Sequence, residues 1–113
     1  MPLNVLRSVA RDVVDQVARG EYESLMARCA KSRLTIDDLR IAIRDYGCTL
    51  VSPPSDAYEN LDAVQVSDAA VPTWSVRVPL WTSEEGRSDL TLELTIALGT
   101  ARPSIEIDDL HVL

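Results

Sequence analysis

WSVRVPLWTSEEGRSDLTLELTIAL, residues 74–98, alternates twice around a polar turn. Trp74, Val76, Val78 and Leu80 share one parity, and Leu90, Leu92, Leu94, Ile96 and Leu98 share one after the turn. Period-2 alternation on both sides of a Gly-containing turn predicts a long antiparallel hairpin with a single apolar face. The opposite face carries Arg77, Trp81, Thr91, Glu93 and Thr95. Setting Leu80 across from Leu90 brings Val78 to Leu92 and Val76 to Leu94, and it places Arg77 opposite Glu93. An exposed ion pair there contributes at most ~1 kcal/mol. Pro79 has no N–H to give a ladder, so its part of the strand is expected at an edge or beside a bulge.

The final strand, residues 104–112, breaks its alternation. Ile105 and Ile107 have one parity, Leu110 and Val112 the other. Both pairs face the core only if an extra residue is taken up at Asp108 and Asp109, which predicts a β-bulge or sharp bend there. A first strand is expected over residues 61–66. Pro53 and Pro54 interrupt any regular element before it.

Upstream, Leu6, Val9, Ala10, Val13 and Val17 mark one face of an amphipathic helix over residues 3–19, with Gly20 as its left-handed cap. A second helix is expected from Glu21 to about Lys31. Thr35 and Asp38 form a capping box with Asp in place of Glu, opening a third helix to Tyr46 that Gly47 ends. Helices followed by strands indicate one α+β domain over residues 1–113, with three N-terminal helices packed on a curved four-stranded antiparallel sheet. The cystatin-like and nuclear-transport-factor-like arrangements have this order, an analogy of fold that carries no function.

With 113 residues, 46% of them apolar, the chain can bury roughly two-thirds of its unfolded surface and fold without staples. The formal charge of −7, with Lys31 the only lysine and ten scattered arginines, argues against nucleic acid; it fits high solubility first, and it would also favour a basic protein partner. Cys29 and Cys48 lack metal-ligand spacing and are expected as buried free thiols. No run approaches the ~20 apolar residues of a membrane span and no signal-peptide pattern opens the chain, so a cytoplasmic, membrane-free protein is expected.

Phosphate-binding loops, nucleophile elbows and H-E-x-x-H are missing. His111 is the only histidine and is expected as a surface or packed residue. Carboxylate pairs can act as acid and base or hold a cation, but here they read as solvated faces and a charged turn. No catalytic residue, cofactor or metal site is expected. Arg87, beside Glu84 and Asp89, either pins the turn through a carboxylate or belongs to a recognition surface. That surface would comprise Trp81, Glu84, Glu85, Arg87 and Asp89, with Asp108 and Asp109 nearby; Trp and Arg are frequent interface anchors.

PLWTSEEGRSDLTLEL, LTIDDLRIAIRDYGCTLVSPP and the ending IEIDDLHVL resemble a family of small bacterial proteins that form a domain of unknown function. The resemblance spans nearly the whole chain. It implies a stand-alone bacterial cytoplasmic protein and supplies no reaction or catalytic residues. By analogy of class, the expectation is a non-enzymatic protein-binding domain, such as an antitoxin-like immunity protein. The alternatives are a cone-shaped small-molecule binder using Tyr22 and Tyr46, or a homo-oligomer, for instance a homodimer, without ligand.

Overall fold

Pro79 and Asp108 mark two interruptions in a six-stranded sheet, and both shape its outer face. The computed structural model describes residues 2–99 and 101–113. In chain order the elements are α1 (Leu3–Ala18), α2 (Tyr22–Arg28), β1 (Lys31–Ser32), α3 (Ile36–Tyr46), β2 (Leu50–Val51), β3 (Asp62–Gln65), β4 (Thr73–Thr82), β5 (Gly86–Leu98) and β6 (Pro103–Val112). A 3₁₀ turn, Ser55–Tyr58, precedes β3.

The helices form as their sequences dictate. α1 buries Leu6, Val9, Ala10, Val13, Val14 and Val17, and Gly20 takes the positive φ that releases the chain. At α3 the Thr35 hydroxyl accepts from the Asp38 N–H at 3.1 Å, and the Asp38 carboxylate accepts from the Thr35 N–H at 2.8 Å. Two donors that a helix N-terminus leaves free are thus satisfied. Gly47 is left-handed at the other end.

The sheet order is β1-β6-β5-β4-β2, with β3 also on β4. The expected four-stranded antiparallel sheet is therefore corrected to a mixed six-stranded one. The second helix ends at Arg28 rather than near Lys31, and Lys31–Ser32 instead pairs in parallel with Glu106 and Ile107 of β6. Leu50–Val51 adds to β4 at Trp81 and Thr82. Two-residue strands have no periodicity to read; they exist because the edges of β6 and β4 carry main-chain groups that require partners.

The hairpin register follows the expected one over most of its length, with Val76 opposite Leu94, Arg77 opposite Glu93 and Val78 opposite Leu92. It then departs: Leu80 does not pair regularly with Leu90, because the register shifts between Pro79 and Trp81. Ser88 fills the irregularity, donating its hydroxyl to the Leu80 carbonyl at 2.8 Å and accepting from the Leu90 N–H at 3.2 Å. In the last hairpin, Glu93 lies opposite Asp109 and Leu94 opposite Ile107, so Asp108 is the extra residue of the expected bulge. Ile105, Ile107 and Leu110 are all buried, whereas Val112, expected inward, is 57% exposed.

One apolar core joins the helices to the inner face of the sheet. Val76, Val78, Leu80, Leu90, Leu92, Leu94 and Ile96 pack there with Leu6, Val13, Leu25 and Leu39. Cys29 and Cys48 are free thiols, half-buried rather than buried.

Candidate functional site

The expected recognition corner separates into three groups. Glu84, Glu85 and Asp89 tie the β4–β5 turn to the end of α3. Glu84 accepts from the Thr49 N–H at 2.8 Å and the Thr49 hydroxyl at 3.0 Å, and these bonds hold its carboxyl below the usual range. Tyr46 donates its hydroxyl to Glu85 at 2.7 Å and accepts from the Asp89 N–H at 3.3 Å. Donation to Glu85 raises the Tyr46 phenol above its ordinary value. The carboxylates of Glu84 and Glu85, read from sequence as recognition groups, thus have architectural partners, whereas Asp89 contributes its main-chain N–H rather than its carboxylate.

Trp81 and Arg87 form the second group, facing each other across the β4–β5 ladder. Arg87 makes no ion pair among the described residues, so the expected pin to Glu84, Asp89 or the bulge aspartates is not made. Gly86, in the left-handed conformation, lies under the Trp81 ring. On the outer edge of β4, β3 covers residues 74–77 and β2 covers residues 81–82, leaving residues 78–80 without a partner strand. Pro79 occupies the middle of this notch. A cleft of about 440 Å³ opens there, lined by Trp81, Arg87, Arg77, Pro79, Tyr58 and Leu61 with Asp56 and Asp62 at hand. Tyr58 is anchored from α1: Arg7 donates to the Tyr58 carbonyl at 3.0 Å, and the Arg11 guanidinium lies 5.3 Å from its ring centroid. Burial, with Asp15 adding to it, pushes the Tyr58 phenol up to about 12.

The third group lies on the outer face of β5 and β6, where the bulge at Asp108 has turned Asp109 and His111 outward. Glu93 Oε1 accepts from Arg77 Nε at 3.2 Å, while Glu93 Oε2 is hydrogen-bonded to His111 Nε2. Asp109 Oδ1 accepts from the Leu110 N–H at 2.8 Å, and Asp109 Oδ2 stands 3.8 Å from His111 Nε2. One ligand atom from each of Glu93, Asp109 and His111 falls within 4.8 Å of the other two, a set of donors able to surround a metal ion. The bond to Glu93 raises the His111 pKa above the ordinary imidazole value; burial opposes it, and the Val112 backbone and the Asp109 charge reinforce it. Asp108 itself accepts from the Thr95 hydroxyl at 2.6 Å.

Asp109 reads from sequence as part of a recognition surface and not as a metal ligand, and Glu93 and His111 do not read as its partners. A lone histidine carries no ligand spacing, and its relation to Glu93 arises only from the order of β5 and β6. The available signal was the broken alternation at residues 108–109, which sets the outward parity of Asp109 and His111.

Residues 14–113 match the family described as a domain of unknown function (DUF7668), and the chain belongs to that family. Nothing among the curated proteins or the solved structures matches the chain. No described helix is long and apolar enough to cross a membrane.

Proposed function

We propose that this chain is a non-enzymatic binding domain that holds a protein partner through the notch in the edge of β4. The observation that carries the reading is the interrupted edge at residues 78–80, bordered by Trp81 and an Arg87 that has no ion pair among the described residues. The cleft at the interrupted edge can seat a projecting side chain or loop of a partner, and the Trp–Arg pair at its border supplies anchoring side chains. Arg87 can take a carboxylate or main-chain carbonyl of the entering segment, and the net charge of −7 steers approach by a partner that is basic overall. Within this reading, the finer proposal is a cytoplasmic bacterial immunity protein whose partner is a toxin encoded beside it.

Co-expression with the products of the genes flanking its own tests the proposal. A stable complex with one of them, weakened at least tenfold by Arg87→Ala and by Trp81→Ala with the circular dichroism unchanged, is the expected result. A complex indifferent to both substitutions would remove the notch as the binding surface, and no complex with either neighbour would remove the toxin–immunity reading. Light scattering on the isolated chain distinguishes self-association: a concentration-dependent dimer abolished by Arg87→Ala would assign the notch to a second copy instead.

A further inference from the structure

We propose that Glu93, Asp109 and His111 form a binding site for a divalent transition-metal ion of the zinc(II) class. The inference does not rest on the proposed binding at the notch, although Arg77, which holds Glu93, also lines that cleft. The trio combines one imidazole and two carboxylates, a donor set suited to zinc, cobalt or manganese, and three protein ligands leave further coordination positions open to solvent or a partner group.

The case rests on how the carboxylates are held. Each has one oxygen engaged by the protein and the other turned to the same point. Glu93 gives Oε1 to Arg77, and Asp109 gives Oδ1 to the Leu110 N–H; Glu93 Oε2 and Asp109 Oδ2 both face His111 Nε2. Such outer contacts orient ligating carboxylates and restrict their rotation. One ligand atom from each of the three residues lies within 4.8 Å of the other two, so side-chain rotation alone can bring them to the ~3.4 Å separations of tetrahedral donors ~2.1 Å from one ion. Glu93 and His111 are partly exposed, with side-chain accessibilities of 22% and 33%, and Asp109 is more exposed at 51%, so an ion can enter from the open face of the sheet. The backbone supports the same geometry. Asp109 and His111 are two apart on β6 and point the same way, and Glu93 is directly opposite Asp109. The extra residue at Asp108 is what gives them that parity. The bound ion would tie β5 to β6 and replace the His111–Glu93 hydrogen bond with coordination by both side chains.

The test uses the full chain stripped with a chelator and titrated with zinc chloride by calorimetry in a non-coordinating buffer. One saturable site per chain is expected. His111 is the only histidine, so its ring resonances report occupancy without assignment by mutation, and they should shift in step with the heat. Asp109→Asn and His111→Gln should each weaken binding at least tenfold, whereas Glu85→Gln, in the turn, should leave it unchanged. Circular dichroism checks that the variants fold, and the wild-type His111 spectrum stands without them. Absence of a saturable site, static His111 resonances during zinc binding, or binding that survives both substitutions or is lost in Cys48→Ser would each overturn the assignment.

Discussion

Glu93 and His111 are joined diagonally across the β5–β6 ladder, Oε2 to Nε2, while the second oxygen of Glu93 is held by Arg77 of β4. One carboxylate therefore links three adjacent strands on the face that the helices leave uncovered. Its attraction for the imidazolium raises the His111 pKa, and the direction of that shift fixes a pH dependence. A group whose folded pKa is raised binds its proton more tightly in the native state. The stabilisation is fully present below the unfolded imidazole value of ~6.5 and is lost as the pH rises through the folded one. In metal-free protein, Glu93→Gln should lower the His111 pKa in a proton NMR titration. The gap between wild-type and variant urea midpoints should be widest near pH 6 and narrow on going to alkaline pH.

Deleting Asp108 leaves Ile105-Glu106-Ile107-Asp109-Leu110-His111, which alternates without a break. The deletion keeps Leu110 inward and loses the Thr95–Asp108 hydrogen bond, so it should cost only ~1 kcal/mol. Inserting one alanine between residues 109 and 110 also makes the spacing of Ile107 and Leu110 even, but at a cost either way: a regular strand turns the Asp109 carboxylate into the core, and a retained bulge turns Leu110, 7% exposed, toward solvent, so a loss of about 2 kcal/mol or more is expected. Urea unfolding of the two variants separates these outcomes, and a deletion as damaging as the insertion would contradict the bulge assignment.

The Tyr58 hydroxyl is buried and has no hydrogen-bond partner within the described residues. Removing it while keeping the ring relieves the desolvation of an unpaired polar group. Tyr58→Phe should accordingly be neutral or stabilising by up to ~1 kcal/mol, in contrast to the loss usual for a change in the core. Thermal and urea unfolding measure it, and a loss above that size would show that the hydroxyl has a partner.

Thr35→Ala removes the acceptor for the Asp38 N–H and breaks the capping box of α3. A loss of ~1 kcal/mol is expected. Thr35→Ser should retain most of the stability, since a serine hydroxyl can occupy the same place, and chemical denaturation of the three proteins checks the order.

Much of this architecture could be read before any coordinate. Alternation in residues 74–98 gave the hairpin and the Arg77–Glu93 pairing, and the parity switch after Ile107 located the bulge, because a period of two leaves no other way to bury both Ile107 and Leu110. The candidate corner was less legible. Glu84 and Glu85 look like a charged recognition turn in sequence, yet Thr49 and Tyr46, more than thirty residues earlier, engage them. Arg87 showed the reverse: surrounded by acidic neighbours in the chain, it pairs with none of them in the fold.

The sequence by itself determined the local elements, since helix stripes, the Thr35–Asp38 cap, the strand alternation and its single break are properties of neighbouring residues. Only the tertiary structure decided the six-stranded mixed sheet, the notch at Pro79 and the meeting of Arg77, Glu93, Asp109 and His111. Those depend on which strands lie side by side, and that order is set by burial of the whole apolar face and by the need of each strand edge for main-chain partners. The spacing of residues along the chain marks the apolar faces but not which strands become neighbours.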